Sequence, residues 1–252
     1  MKPDFPKLRQ IPGLRKLWKE AFGDSDAFLD LFFANGFSPD RCRCIADGEE
    51  IASVCYWFDI SCEGQKFAYV YAVATAKANR GQGLCRKLLA DCAELLKEQG
   101  YAGILLVPQD EGLIRMYGGM GYLPATGLAE ALWAAGDSAA AVEELSAEEY
   151  SRLREGRLPP SSVLQEGAGL IFLATQAKFY TGTDFLAAVS REPDHLRVLE
   201  YLGNTDSIPA FIRTLGNLEA TVRMPGNDLP YGMYLPLTAD CKKPEYFAFS
   251  YD

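Results

Sequence analysis

The chain has 252 residues, 48% of them hydrophobic and 23% charged, a balance that supports packed cores in one large or two small globular domains. A formal net charge of −9 and a sequence pI near 4.8 leave no basic surface to neutralise a phosphate backbone, which disfavours nucleic-acid binding and favours the approach of cations. Seven cysteines in no framework point to a reducing compartment; with no apolar leader and no apolar run of about 18 residues, the expectation is a cytoplasmic protein that engages no membrane.

In chain order, residues 11–22 carry Leu14, Leu17, Trp18, Ala21 and Phe22 on one helical face. A second helix, capped by Asp24 or Ser25, carries Phe28, Leu29, Phe32 and Phe33. Aromatic stripes at helical spacing are usually core, so these are expected to pack on a sheet rather than line a cleft. Strand-like runs at 41–46, 50–58 and 65–74 are separated by Asp47-Gly48 and Glu63-Gly64, the turn chemistry of an antiparallel meander. Cys42 and Cys44 would face one side of a strand, but the single histidine and the lack of a second cysteine pair argue for plain thiols and no metal.

The glycine turn Arg80-Gly81-Gln82-Gly83 follows the third run, and Leu84, Leu88, Leu89, Cys92, Leu95 and Leu96 then mark the apolar stripe of a helix that Gly100 stops. A strand, a glycine turn and a helix N-terminus form an anion site, because first-turn N–H groups lack carbonyl partners and the helix dipole places positive charge there. A P-loop would need Gly-Lys-Ser/Thr where Gly83-Leu84-Cys85 stands. The dinucleotide fingerprint would need a third glycine where Arg86 stands, so neither motif fits. A strand at 103–107, a short helix from residue 111 and a closing strand at 128–133 complete this half.

Past Ala134 an Ala-rich stretch marks a boundary, giving expected domains at 1–135 and 136–252. Ser146-Ala147-Glu148-Glu149 is a capping box opening a helix through Arg154. Strands are expected at 169–175, 178–181, 185–190 and 196–202, a helix at 207–215, and strands at 218–223 and 232–237. This order repeats that of the first half. Gly203-Asn204-Thr205-Asp206-Ser207 takes the place of the glycine turn, but Asp206 would repel a pyrophosphate there, so one cofactor site is expected.

Arg80-Gly81-Gln82-Gly83-Leu84-Cys85 resembles the Gln/Arg-x-x-Gly-x-Gly/Ala signature of the general-control-related N-acetyltransferase (GNAT) superfamily, with Cys85 in place of the last small residue. Ile114-Arg115-Met116-Tyr117-Gly118-Gly119-Met120-Gly121-Tyr122 resembles that family's Leu-Tyr-x-x-x-Gly-Phe segment. The resemblance spans residues 5–135. The second half resembles the decayed copy of tandem members such as the enhanced-intracellular-survival acetyltransferases, whose Arg-x-x-Gly-Leu-x-Arg turn is matched by Arg80, Gly83, Leu84 and Arg86.

The resemblance implies an α/β (α+β) fold: a mixed, mostly antiparallel central sheet flanked by helices, then a smaller domain of the same kind. It implies acetyl-CoA as co-substrate and no metal. The N–H groups of Gly81, Gln82, Gly83, Leu84, Cys85 and Arg86 would take the pyrophosphate, with Arg80, Arg86 and Lys87 adding charge. Val73, Ala74 and Thr75 would pair with the pantetheine arm, a bulge at Val73 or Ala74 would supply the oxyanion N–H, and Tyr117 would protonate the leaving thiolate.

The acceptor so implied is a primary amine of a small molecule or peptide, a cationic and partly apolar one by charge and composition. Transfer to a hydroxyl, a bulkier acyl donor, and a non-catalytic acyl-CoA sensor or scaffold stay open, and a homo-oligomer is compatible with each. No base is identified: Asp59 and the terminal carboxylate of Asp252 are candidates, and His195, the only histidine, is not expected to serve. Cys85 lies at a helix N-terminus that would lower its pKa, but with no neighbouring histidine it is not expected to act as a nucleophile.

Overall fold

The computed structural model describes residues 2–190 and 196–249. Contacts divide the chain into two units. The first runs to Leu123 and takes back Glu166–Phe172 and Met233–Lys242; the second holds Pro124–Gln165, Leu173–Gly232 and the residues from Lys243 on. A single cut after residue 135 therefore does not describe this division.

In the first unit, β1 (Pro3–Asp4), α1 (Ile11–Phe22) and α2 (Asp26–Asn35) precede the meander β2 (Cys42–Asp47), β3 (Glu50–Cys62) and β4 (Gln65–Thr75). Then come α3 (Leu84–Glu98), β5 (Gly103–Leu106) and α4 (Glu111–Gly118). Ser25 caps α2, its hydroxyl accepting the Phe28 N–H at 3.2 Å. The strands lie in the order β1-β2-β3-β4-β5 and then the late strand Met233–Pro236. All neighbours are antiparallel except β4 and β5, which the α3 crossover makes parallel.

Alternation along β3 and β4 splits their side chains between two faces. Trp57, Val70, Leu88, Leu96 and Ile104 form the core beneath α3. On the other face, the Trp18 ring lies 4.5 Å from Phe32 and 5.2 Å from Tyr56, and Phe172 stacks on Phe58 at 6.0 Å. Trp18 of α1 and Phe32 of α2 are thus core, as their spacing predicts, while Phe28 and Phe33 are half-buried and Phe22 is exposed. Cys42 and Cys44 are buried, and burial pushes the Cys44 thiol up to about 11 and raises Cys42 as well.

The second unit contains β6 (Gly127–Ala134), β7 (Glu143–Leu145), α5 (Ala147–Glu155), β8 (Ala177–Thr181), β9 (Phe185–Ser190), β10 (Arg197–Gly203) and β11 (Glu219–Pro230). Its sheet runs β6-β11-β10-β9-β8-β7, with β10 and β11 parallel across the short helix Ile208–Thr214. Phe211 packs 5.0 Å from Phe185 in its core. Fully buried Glu200 is held bidentately by Arg154, at 2.6 and 2.9 Å, and by the Tyr150 hydroxyl at 2.7 Å.

Two expectations are corrected. Residues 169–175 belong to a helix, Gly167–Gln176, not a strand; a short apolar run has no periodicity to tell a buried strand from a buried helix. The strand at 128–133 does not close the first sheet. The whole strand Gly127–Ala134 makes eight registered pairs with β11, more than the four-residue β5 could offer, and Met233–Pro236 pairs with β5 instead. Among the described residues no helix is long and apolar enough to cross a membrane.

Met233 is buried against the α3 core, and Leu235 and Leu237 pack on it. Burial of this kind is worth about 1.5–3 kcal/mol for a fully covered side chain, against a domain stability of about 5–15 kcal/mol. A fragment ending at residue 135 is therefore expected to show no cooperative thermal transition by circular dichroism. A sharp transition would mean that β5 needs no such partner.

Candidate active site

The ladder between β4 and β5 ends at Tyr69↔Leu105, and the last stretch of β4 is registered with β3, Ala74 against Val54 and Thr75 against Ser53. Between Tyr71↔Tyr56 and Ala74↔Val54, β4 has one residue more than β3, so Ala72 and Val73 form a bulge opposite Cys55. Ala72 has φ 50°, a left-handed conformation that costs a non-glycine residue roughly 1–2 kcal/mol. Buried Ser53 steadies the far side: its hydroxyl donates to the Ala74 carbonyl at 3.0 Å, so the 2.9 Å contact with Thr75 Oγ1 has Thr75 as donor. Nothing in the letters marks Ala72 or Ser53, because an alanine shows no preference for positive φ.

Beyond β4, Gly81 and Gly83 take φ 75° and 73° with open space where a Cβ would sit. Conformation, not crowding, demands glycine there. Gly83 is the N-cap of α3, with no side-chain bond to the helix, and the first turn closes with Lys87 N–H on the Gly83 carbonyl at 3.0 Å. The amides of Leu84, Cys85 and Arg86 therefore have no partner within the helix. Arg80 Nε donates to the Thr75 carbonyl at 3.1 Å, tying the turn to the end of β4, and the exposed Gln82 amide reaches the Ala78 carbonyl at 3.4 Å.

Tyr117 lies on α4, which Asp110 caps by accepting the Leu113 N–H at 2.8 Å. Its ring is buried 5.6 Å from that of Tyr122. Burial pushes the phenol well above its ordinary range, and the neighbouring Cys85 and Cys55 thiols add to the shift. Val73, Leu84 and Cys85 pack on the buried cluster that contains Tyr117 and Cys55. The bulge and the start of α3 thus pack on the same core cluster that holds Tyr117. Burial also raises the Cys85 thiol against the opposing charge of Arg86, the reverse of the effect expected at a helix N-terminus. It stays protonated near neutrality and is a poor nucleophile.

Asp59 is not a free base. Burial would raise its carboxyl, but Arg41 binds it bidentately at 2.9 and 2.8 Å, the Tyr101 hydroxyl donates a further hydrogen bond, and the net result is a lowered pKa. His195 and Asp252 lie outside the described residues.

Residues 6–125 match the family model described as an acetyltransferase (GNAT) domain. No curated protein matches the chain in sequence. In fold the chain is similar to the GCN5-related N-acetyltransferase from Kribbella flavida, at 15% identity and a TM-score of 0.71 over 92% of this chain and 70% of that one. It is similar to the GCN5-related N-acetyltransferase from Anabaena variabilis, at 16% identity and a TM-score of 0.69 over 94% and 73% of the two chains. Eis1 from Mycobacterium abscessus is similar at 13% identity and a TM-score of 0.66 over 94% and 74%.

Because the Asp59 carboxylate is stabilised by its partners, its contribution is present above the unfolded carboxyl value of about 3.9 and is lost as pH falls through the lower folded value. Asp59→Asn should destabilise the protein by about 1–2 kcal/mol at pH 7, discounted for partial exposure, with turnover within threefold of the unmutated protein. Loss of activity without loss of stability would return Asp59 to the list of bases.

Proposed function

We infer that this chain, whose residues 6–125 belong to the GNAT acetyltransferase superfamily, transfers an acetyl group from acetyl-CoA to a primary amine of a small molecule or peptide. The observation that carries this reading is one core cluster that contains buried Tyr117 and on which Val73 of the bulge and Cys85 at the start of α3 both pack, with Cys85 near enough to Tyr117 to raise its phenol.

Each residue has a physical task in the proposed reaction. The amides from Gly81 to Arg86 receive the pyrophosphate, and the two left-handed glycines keep the backbone open to close approach. The free side of Val73–Thr75 pairs with the amides of the pantetheine arm as an added strand would. The bulge turns the Val73 N–H out of the ladder to meet the charge that builds on the thioester oxygen as the amine attacks. The C–N bond forms, the C–S bond breaks, and Tyr117 gives its proton to the departing sulfur. The proton lost by the amine passes to water or to a carboxylate not yet identified.

The net charge of −9 favours a cationic acceptor. Since Trp18 and Phe32 are spent in the core, charge rather than aromatic lining supports that preference. All seven cysteines are free, in keeping with a reducing, cytoplasmic setting.

Calorimetric titration with acetyl-CoA and CoA, beside Gly83→Glu, tests the cofactor site: binding lost in the variant supports it, and no binding by the unmutated protein overturns the transferase reading. With a panel of polyamines, aminoglycosides and Lys-containing peptides, Tyr117→Phe should lower kcat by about 100-fold. The ordinary tyrosine value is about 10 and burial raises it, so the acid stays loaded as pH rises, and kcat should show no fall between about pH 7 and 9.5 from its ionisation. A decline in that window that disappears in Tyr117→Phe would contradict the buried phenol as the acid.

A further inference from the structure

Arg86 offers its backbone amide to the anion site, but its side chain is directed elsewhere. Its Nη1 donates to the Gly119 carbonyl at 2.8 Å. Gly119 is the C-cap of α4, its N–H bonded to the Arg115 carbonyl at 3.0 Å, and it lies two residues beyond Tyr117. The last carbonyls of a helix lack intrahelical donors and carry partial negative charge, so a guanidinium there is favoured twice over. The Tyr117 carbonyl accepts the N–H groups of Met120 at 2.8 Å and Tyr122 at 3.1 Å, closing the turn from within. Arg86 is the hydrogen bond that fastens this turn to the first turn of α3. Arg80 differs, since its bond runs back to β4 at Thr75 and leaves α4 untouched.

We propose that Arg86 is a positioning residue for Tyr117: its guanidinium holds the Tyr117-bearing turn against the start of α3, and is not a principal ligand of the cofactor's phosphates. The proposal rests on the transferase reading. It couples the two ends of the site through one residue, whose N–H faces the cofactor and whose side chain sets the acid. Lysine at this position can donate a hydrogen bond to the same carbonyl, whereas glutamine is shorter and uncharged.

The test compares Arg86→Gln and Arg86→Lys, each with and without Tyr117→Phe, and Arg80→Gln as a reference. For Arg86→Gln we expect an acetyl-CoA Kd by calorimetry within about threefold of the unmutated value and a kcat lowered about tenfold, the scale of one charge-assisted hydrogen bond. Arg86→Lys should recover part of that kcat. In the Tyr117→Phe background, Arg86→Gln should cost less than about twofold more, the non-additivity of residues acting through one group. A Kd raised tenfold or more with saturated kcat intact would make Arg86 a phosphate ligand and overturn the proposal, as would losses that multiply in the double variant. If the unmutated protein binds no acetyl-CoA, the transferase reading falls and the proposal with it; if it binds and only the Arg86 pattern fails, the proposal alone is lost.

Discussion

An alanine at φ 50° inside a strand is held against a cost of roughly 1–2 kcal/mol, and β4 keeps Ala72 there because both flanks are locked. Tyr71 is registered with Tyr56 on one side and Ala74 with Val54 on the other, and Ser53 binds the Ala74 carbonyl. With two residues against one between those pairs, the surplus has to be absorbed by a bulge. The bulge turns the last stretch of β4 after its ladder with β5 has ended at Tyr69, and the glycine turn and α3 follow from where that stretch points. Straightening Ala72 would shift every later residue of β4 by one, exchanging the faces of Val73, Ala74 and Thr75.

How much of this could be read from the letters differs from residue to residue for physical reasons. Gly81 and Gly83 advertise their positive φ, because only glycine takes it without penalty, so the glycine turn is legible. Ala72 adopts a similar φ under external restraint and carries no mark of it. Tyr117 could be found by its motif, but its place in the core near Cys85 depends on the parallel crossover that brings β5 beside β4. Residues 169–175 carry no such mark, because a short, largely apolar run buries equally well as helix or strand.

Strand existence proved easier to read than strand partnership. Residues 128–133 and 232–237 are both strands, as their composition predicts, yet each closes the sheet that sequence order would give to the other. Period-two patterning states which face a strand buries and says nothing of which neighbour it buries it beside. The second unit has a different turn between β10 and the helix that follows it. Gly203 has φ 139°, and a Cβ there would lie 2.2 Å from the Asp184 carbonyl oxygen. Ser207 donates to the Asp184 carboxylate at 3.0 Å, and Asn204 Oδ1 accepts the Asp206 N–H at 3.1 Å, so one donor of the turn is taken up by its own side chain and another by Asp184.

In the proposed reaction, burial poses a chemical difficulty for Tyr117 that the same burial resolves. A phenol raised above its ordinary range holds its proton more tightly, which by itself makes it a poorer donor to a thiolate. Desolvation, however, acts on every group whose charged form is an anion, and the neighbouring Cys85 thiol is raised for that reason, despite Arg86 beside it. A thiolate expelled into these surroundings meets the same penalty, so its proton affinity rises along with that of the phenol. In the proposed reaction the transfer is then driven less by the acidity of Tyr117 than by the instability of a bare thiolate beside buried groups. A more exposed tyrosine would be a stronger acid in isolation, but it would face a thiolate that water had already stabilised.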